Sequence, residues 1–463
     1  MKTPAKKTAS ASFRETAPAA RPPAEPPIFR VSTEVLLKIF SFLDKRSCSR
    51  VARSCKRFKE PALDQLWREI TTLAAPLALL DELINTYSGM MFRHGLGQVD
   101  WFKYWSYANR VRKVHITDKA RALAEDGHVN PETLAHALAA TTSQTGHGTL
   151  LPKARALEFD FHEYSGPSLV LPLIGPAVRH ITIQIPQSSE LMAQVISRVI
   201  STLTSMSNTL KLEQFDITIC YDINRDTETR RTLSSNIAKF IASQPTLQCL
   251  RICPVDSFSP LKQAIQVLPR LRVLEITCTT NPHKPPPKDI IASLASCVNL
   301  EQLRINGPSP RGQHDFSLIQ PLLSCNRLAT LDLSWLGAVR LNAEDVEEMG
   351  KAWVKLESLH FSIVGDGMPV DLLLAFATSF SPSLHALSIP LDISRVGFLL
   401  LMATEIPPHD LKVLYTGSPM TESDVQPFAE LLGTLFRPGF QVVFGIGQGR
   451  STGTKEAASF YKK

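Results

Sequence analysis

Apolar residues recur along most of the chain in one local order: apolar, two positions of any kind, apolar, one position of any kind, apolar. Clear copies of this pattern begin at Leu247, Leu271, Leu300, Leu328, Leu356, Leu384 and Leu411. Successive copies start 24, 29, 28, 28, 28 and 27 residues apart. Because side chains alternate between the two faces of a strand, each copy predicts a strand with one buried face. Less regular copies begin at Val111, Leu157, Val178 and Leu212.

Helical spacing of apolar residues separates these strands. Helices are predicted over Ile237–Ser243, Leu261–Leu268, Asp289–Cys297, Phe316–Ser324, Ala343–Val354, Leu372–Ser379 and Val425–Phe436. Repetition of strand and helix at a period of roughly 20–29 residues is typical of leucine-rich repeats, whose units bury their apolar faces by stacking. We therefore predict an α/β fold in which residues 111–445 form an irregular leucine-rich-repeat solenoid. Its parallel sheet lies inside and its helices lie outside.

One polar position lies between the last two apolar residues of each copy, and alternation places it on the open face of the sheet. In chain order this position holds His115, Glu158, Thr182, Asp216, Arg251, Glu275, Arg304, Asp332, His360, Ser388 and Tyr415. Two interpretations stay open for the charges. They bind a target protein, with candidate contacts at Arg251, Glu275, Arg304, Asp332 and His360, or they pair with each other across neighbouring strands.

Residues 31–70 have a different pattern, three short helical stretches. Ser32 or Thr33 is placed to cap the first, and Glu34 lies where a helix dipole favours an acid. Apolar residues follow at helical spacing, and later apolar clusters surround Val51, Phe58 and Trp67. Three such helices cannot enclose a full core, so much of this apolar surface needs a neighbour.

This segment resembles the F-box in the order and spacing of its motifs. Val31-Ser32-Thr33-Glu34 corresponds to the opening Leu-Pro-x-Glu, and Leu36-Leu37-Lys38-Ile39-Phe40 to Leu-x-x-Ile-Phe. Leu43-Asp44, Cys55-Lys56-Arg57-Phe58 and Leu66-Trp67 match the later motifs. Ser32, Cys48 and Ser54 depart from the usual Pro, Leu and Val.

The resemblance implies that the F-box binds a Skp-type adaptor by apolar helix docking. The expected contacts are Val35, Leu36, Ile39, Phe40, Leu43, Val51, Phe58 and Trp67. The chain would then be a substrate-recognition adaptor of an SCF-type cullin ubiquitin ligase, with the repeats holding the target. The alternative is a repeat scaffold with a decayed F-box and no ligase role. The same helices could also form an ordinary cap on the next domain.

Residues 71–110 are predicted to be a helical connector, with one helix over Leu77–Ile84. Its aromatic run begins at Trp101, and Tyr107-Ala108-Asn109-Arg110-Val111-Arg112 follows. A similar run introduces the first repeat strand in many fungal F-box proteins, which places this chain with them. The aromatic side chains either form a ligand cage or pack the connector on the repeats.

Composition and charge limit the partners. Hydrophobic residues make up 44% of the 463 residues, enough for a sizeable core, and no apolar run is long enough for a membrane helix. Residues 1–30 carry six prolines and six Lys/Arg against two Asp/Glu, so we expect a disordered basic tail there rather than a presequence.

Residues 31–70 add a charge of +4 and the remaining residues sum to −1, so the body of the protein has no basic surface of the kind that binds nucleic acid. Lys6-Lys7 either belongs to a nuclear signal or to the solvated tail.

The eight cysteines do not have the spacing of a disulfide framework and no secretory signal precedes them, so we expect free thiols in a cytoplasmic or nuclear protein.

Gly449-Arg450-Ser451-Thr452-Gly453 matches a nucleophile-elbow string, but no histidine follows it. We expect residues 446–463 to be a flexible tail. We predict no enzymatic activity, no metal site and no cofactor.

Overall fold

A computed structural model describes most of the chain outside its two ends. The described residues are 31–87, 89–94, 96, 99–117, 129–146, 148–161, 170–188, 190–221, 227–255, 259–278, 288–307, 313–362, 367–380, 382–392, 408–416 and 422–444. The predicted tails at 1–30 and 446–463 lie outside them. The chain divides into two compact units, Met1–Leu66 and Trp67–Lys463. We call their described parts the helical unit (31–66) and the sheet unit (67–444).

Three helices make up the helical unit: α1 (Thr33–Phe40), α2 (Lys45–Ser54) and α3 (Lys56–Trp67), the last ending at the first residue of the sheet unit. Ser32 caps α1 by accepting a hydrogen bond from the Val35 N–H at 3.4 Å, as the sequence predicted. Asp44 caps α2 by accepting from the Ser47 N–H at 2.6 Å. A hydrogen bond from the Ser47 hydroxyl, followed in size by this backbone bond, lowers the pKa of Asp44. Both caps therefore satisfy helix N–H groups locally.

A small core holds these helices together. Leu36, Phe40 and Ala62 are enclosed in it. Phe58 packs edge-on against Phe40, with ring centroids 5.9 Å apart. The buried Cys48 thiol donates to the Phe40 carbonyl at 3.6 Å. Cys48 thus fills a core position and satisfies a carbonyl at the end of α1.

The sheet unit is built on one sheet of thirteen strands in which every neighbouring pair is parallel. In sheet order these strands are β1 (Glu69–Ile70), β4 (Lys113–Thr117), β5 (Ala156–Asp160), β6 (His180–Ser188), β7 (Gln214–Tyr221), β8 (Cys249–Val255), β9 (Val273–Cys278), β10 (Gln302–Asn306), β12 (Thr330–Leu333), β14 (Ser358–Phe361), β16 (Ala386–Ser388), β18 (Val413–Thr416) and β19 (Gln441–Phe444). The predicted parallel sheet is confirmed.

Shorter strand pairs and helices occupy the connections. The pairs are antiparallel β2 (Leu83–Thr86) with β3 (Gly89–Phe92), and parallel β11 (Gln313–Asp315) with β13 (Ala338–Arg340) and β15 (Met368–Pro369) with β17 (Leu391–Asp392). The helices are α4 (Ala74–Leu77), α5 (Trp101–Ala108), α6 (Pro131–Thr145), α7 (Glu190–Ser205), α8 (Thr227–Ala242), α9 (Ser259–Gln266), α10 (Lys288–Leu294), α11 (Ala343–Ala352), α12 (Leu372–Ser379) and α13 (Glu422–Leu435). None of the described helices is long and apolar enough to cross a membrane.

The repeated apolar pattern explains the core. In the copy that begins at Leu300, the side chains of Leu300, Leu303 and Ile305 are all fully buried. In the register of β10 and β12, Leu303 lies beside Leu331. The same register continues across the sheet, so leucines of successive copies stack on one face, where buried helix residues such as Ile290 join them. Burial of this face is the main stabilising contribution.

Two predicted helices are wrong. The helix expected over Leu77–Ile84 ends at Leu77, and β2 begins at Leu83, because the apolar run there was too short to distinguish helix from strand. Gly89, at a φ of 113°, allows the tight return from β2 to β3. The helix expected over Phe316–Ser324 is two 3₁₀ helices, Phe316–Leu318 and Gln320–Ser324, because Pro321 has no N–H to donate.

The aromatic run of the connector packs as a structural cluster. Tyr104 is fully buried and its hydroxyl donates to the Leu150 carbonyl at 2.8 Å. The Trp101 ring lies edge-on to Tyr104 at 6.0 Å, and the Tyr107 ring lies 4.9 Å from Trp67. These rings contact each other and the first repeat, which favours packing over a ligand cage.

Candidate functional site

The helical unit exposes a patch of large apolar side chains around the end of α1. Val35 and Ile39 lie one turn apart on α1 and are 49% and 42% exposed. Phe42, just past the helix, is 78% exposed, and Leu43 is 36% exposed. Lys38 places its ammonium 5.4 Å from the centre of the Phe42 ring. We call Val35, Ile39, Phe42 and Leu43 the apolar patch. A patch of this kind is typical of a protein-binding surface.

The residues predicted to contact the adaptor therefore separate into three groups. Val35, Ile39 and Leu43 lie in the apolar patch. Leu36 and Phe40 are buried in the core of the helical unit, and Val51 and Phe58 pack against that core. Trp67 packs its ring against Tyr107. The buried Leu36 and Phe40 and the partly buried Val51 and Phe58 hold the three helices together. Whether any of the eight candidates contacts an adaptor stays a prediction.

Phe42 was missed by the sequence argument. It lies two residues beyond the end of α1 at Phe40, so helical periodicity does not reach it. Its Lys38 neighbour is an i, i+4 partner, the one signal in the sequence that could have indicated its position.

The three departures from the F-box pattern have local explanations. Ser32 supplies the cap of α1. The pKa of Glu34 is lowered mainly by a hydrogen bond from its own backbone N–H, and a hydrogen bond from the Ser32 side chain lowers it further. Cys48 is buried, and burial raises the pKa of its thiol. The exposed Ser54 donates its hydroxyl proton to the Val51 carbonyl at 2.8 Å. None of the three interrupts a helix.

A second candidate site is the row of polar side chains on the open face of the large sheet. The strand register aligns all eleven residues predicted for it, so that each lies beside the next on the neighbouring strand: His115, Glu158, Thr182, Asp216, Arg251, Glu275, Arg304, Asp332, His360, Ser388 and Tyr415. We call this set the strand row.

The first half of the strand row is internally paired. Arg251 reaches Asp216 on one side and Glu275 on the other, both at 3.2 Å. Glu158 is held by Lys113 at 2.9 Å, and His115 lies 3.8 Å from the same carboxylate. Hydrogen bonding and charge from Glu158 raise the pKa of Lys113. In this half the paired-ladder interpretation describes the geometry.

The second half of the strand row, from Arg304 to Tyr415, has no ladder of paired charges between its members. Arg304 is exposed and forms no ion pair with Glu275 or Asp332, although it lies between them in register. The Asp332 carboxylate instead accepts the Ser334 N–H at 3.1 Å. The His360 ring bonds the Ser358 hydroxyl at 2.6 Å and lies 5.9 Å from the Tyr415 ring. Burial lowers the pKa of His360, the Asp332 charge opposes this shift, and Arg304 adds to it.

Other chemistry has little geometric support. No group of three or more His, Cys, Asp or Glu side chains within the described ranges is placed to hold a metal ion. Cys297 and Cys325 are buried, and burial raises the pKa of both thiols, which fits structural cysteines. The nucleophile-elbow string at Gly449–Gly453 lies outside the described residues.

Comparison with known proteins adds one family match. Residues 33–72 match the family model described as F-box-like. No curated protein matches the chain. A solved structure of a Bacteroides fragilis protein, determined by a structural genomics consortium, aligns with 58% of this chain and 67% of its own. Its sequence identity is 16% and its TM-score is 0.27, too low to establish a shared fold. On the family match and the motifs within it, residues 33–72 are an F-box-like domain.

Proposed function

We propose that this chain is the substrate-recognition adaptor of an SCF-type cullin ubiquitin ligase. The F-box-like domain would bind a Skp-type adaptor, as F-box domains generally do. The sheet unit would be an irregular leucine-rich-repeat solenoid of the fungal F-box type, which binds the target protein. The protein would work in the cytoplasm, the nucleus or both.

The observation that carries this proposal is the apolar patch. Val35, Ile39, Phe42 and Leu43 are exposed together in a domain whose small core already encloses Leu36 and Phe40. Exposed apolar area of this kind is stabilised when a partner helix covers it. The sequence match and the exposed patch therefore support the same activity, docking of an adaptor.

The sheet unit supports the second half of the proposal. Parallel strands at a period near 28 residues present one continuous polar row, and in its second half the exposed Arg304 forms no ion pair with Glu275 or Asp332, its neighbours in register. The predicted target contacts Arg304, Asp332 and His360 lie there, while Arg251 and Glu275 pair with each other. We propose that the second half contacts the target and the paired first half supports it.

The chain would transfer nothing itself. It would hold its target near the ligase core, and tethering of this kind raises the effective concentration of the target to the millimolar range when the linkage is short. We accordingly propose that it is not an enzyme and needs no cofactor.

Co-purification with a Skp-type adaptor tests the proposal. The variant Ile39→Asp/Phe42→Asp places two charges in the apolar patch and leaves the core residues in place. We expect adaptor recovery to fall at least about tenfold, equivalent to ~1.4 kcal/mol of binding free energy. The control is Lys56→Asp, which makes the same change in net charge at an exposed first position of α3.

Unchanged thermal melting of the variants would show that they fold. If Lys56→Asp loses as much adaptor as the patch variant, the apolar patch is not the docking surface. If wild-type protein that melts cooperatively recovers no adaptor, the ligase role is wrong. The protein would then be a repeat scaffold with a decayed F-box, and its partner would lie outside the ubiquitin system.

A further inference from the structure

A second row of side chains lies at the edge of the sheet where the strands begin. The residue just before each strand donates its N–H to the carbonyl of the corresponding residue on the preceding strand, at 2.7–2.9 Å from Arg112 to Lys412. We call this set the amino-edge row. From β4 to β18 it consists of Arg112, Arg155, Arg179, Glu213, Gln248, Arg272, Glu301, Ala329, Glu357, His385 and Lys412.

Ala329 is the exception in this row. Every other member has a long or ring-bearing side chain, whereas Ala329 ends at its Cβ, between Glu301 and Glu357 on the neighbouring strands. A cavity of about 590 Å³ lies here, at the beginnings of β10, β12, β14 and β16. Its lining includes Ala329, Gln302, Arg327, Lys355, Glu357 and His385. The short side chain at position 329 contributes to this cavity by leaving room between Glu301 and Glu357.

The charged side chains around the cavity differ in whether they form ion pairs. Glu301 is held by a bidentate bond from Arg272, with N–O distances of 2.7–2.9 Å, so its charge is already compensated. Arg327 and Lys355 are exposed and form no ion pair with any other residue that the structure describes. They occupy the same turn position, three residues before β12 and β14. Because neighbouring strands lie about 4.8 Å apart, the two cations can approach the same ligand.

Two further groups suit a peptide. Glu357 is exposed and offers an acceptor for a backbone N–H, and the partly exposed His385 also lines the cavity. An extended peptide carries N–H and C=O groups as well as side chains, so it can use both. A nucleic acid is a poorer match, because a continuous run of phosphates offers Glu357 no N–H donor, and no Phe, Tyr or Trp is among the described residues that line the cavity.

We infer that this cavity binds an acidic peptide segment of the target protein, with carboxylates of that segment contacting Arg327 and Lys355. The inference rests on the proposed function in naming the target class, and it adds a site at the amino edge of the strands that neither the family match nor the strand row assigns. Ala329 is the residue that determines access to the site.

Fluorescence anisotropy on the full chain tests the inference, with a fluorescein-labelled octapeptide of alternating glutamate and serine as probe. Arg327→Glu/Lys355→Glu reverses both charges, and we expect it to weaken binding at least about tenfold. Its control is Lys211→Glu/Arg270→Glu. Those residues are exposed, occupy the same turn position before β7 and β9, and border no part of the cavity.

A steric pair separates shape from charge. Ala329→Gln puts into the cavity the side chain that Gln248 already carries at the equivalent position, and it changes no charge. We expect it to weaken peptide binding by a similar factor, while Gln248→Ala leaves binding within about twofold of wild type. Thermal melting checks that each variant folds.

Several outcomes would overturn the inference. They are absence of peptide binding by wild-type protein, equal loss in the Lys211/Arg270 control, and tighter binding of a single-stranded RNA of the same charge. The apolar-patch variant Ile39→Asp/Phe42→Asp keeps the two proposals distinguishable, because it should bind the peptide normally while it loses the adaptor. Peptide binding without adaptor recovery would leave the cavity assignment standing and remove the ligase role.

Discussion

Arg251 and Arg304 occupy the same position in two repeats, yet one is fully engaged and the other is not. Arg251 contacts an acid on each side at 3.2 Å. Arg304 also has an acid on each side, but Glu275 is already bonded to Arg251 and Asp332 to the Ser334 N–H. Alternating charges on adjacent strands therefore do not pair automatically. A carboxylate that lies between two cations pairs with the cation whose side chain reaches it in the better geometry.

The largest expected difference is in stability. Arg251→Met would leave Asp216, 15% exposed at its side chain, and Glu275, on the strands either side of β8, without the cation they share, and we expect the free energy of unfolding to fall by about 1–2 kcal/mol. Arg304→Met removes no ion pair with Glu275 or Asp332, so it should change stability by less than about 0.5 kcal/mol. Urea denaturation of both variants measures this. Equal losses would mean that the two halves of the strand row do not differ.

A double-mutant cycle sharpens the same comparison. For Arg251→Met with Glu275→Gln we expect a coupling free energy of about 0.5–1 kcal/mol, because a partly exposed pair is screened by water. For Arg304→Met with Glu275→Gln the coupling should be near zero. A larger coupling for the second pair would show that Glu275 exchanges between the two arginines in solution.

The smallest effect is pH-dependent. The pKa of His360 is lowered from its usual 6.5, so protonation costs more in the folded than in the unfolded chain. The contribution of neutral His360 to the free energy of unfolding is fully present above pH 6.5 and decreases as the pH falls below that value. His360→Gln should therefore flatten the decline in melting temperature between pH 7.5 and 5.5. Some slope should remain, because burial also lowers the pKa of His409. An unaltered slope would show that His360 titrates normally.

The sequence predicted the large sheet and the composition of its open face well. A repeat of three apolar positions determines where a strand begins and which side chains are buried, and parallel pairing then fixes the neighbours of each polar residue. For this reason the register from His115 to Tyr415 agrees with the order along the chain. Whether those residues bind a target stays a prediction.

Features that depend on irregular connections escaped the sequence. Residues 77–84 gave an apolar run without a decisive period, and Phe42 lay just past a helix end. The cavity at Ala329 was missed for a different reason. It includes a small residue among large ones at one edge of the sheet, and this contrast becomes visible only when residues some 28 positions apart are compared in register.

The alternation of charge from Asp216 to Asp332 also imposes a parity on the repeats. Excision of residues 247–270 would remove one period and bring Asp216 beside Glu275, two like charges on adjacent strands. Excision of residues 271–299 would bring Arg251 beside Arg304. Removing both periods together would restore an opposite pair, Asp216 beside Arg304. This stretch of the sheet therefore tolerates changes in length more readily by two periods than by one.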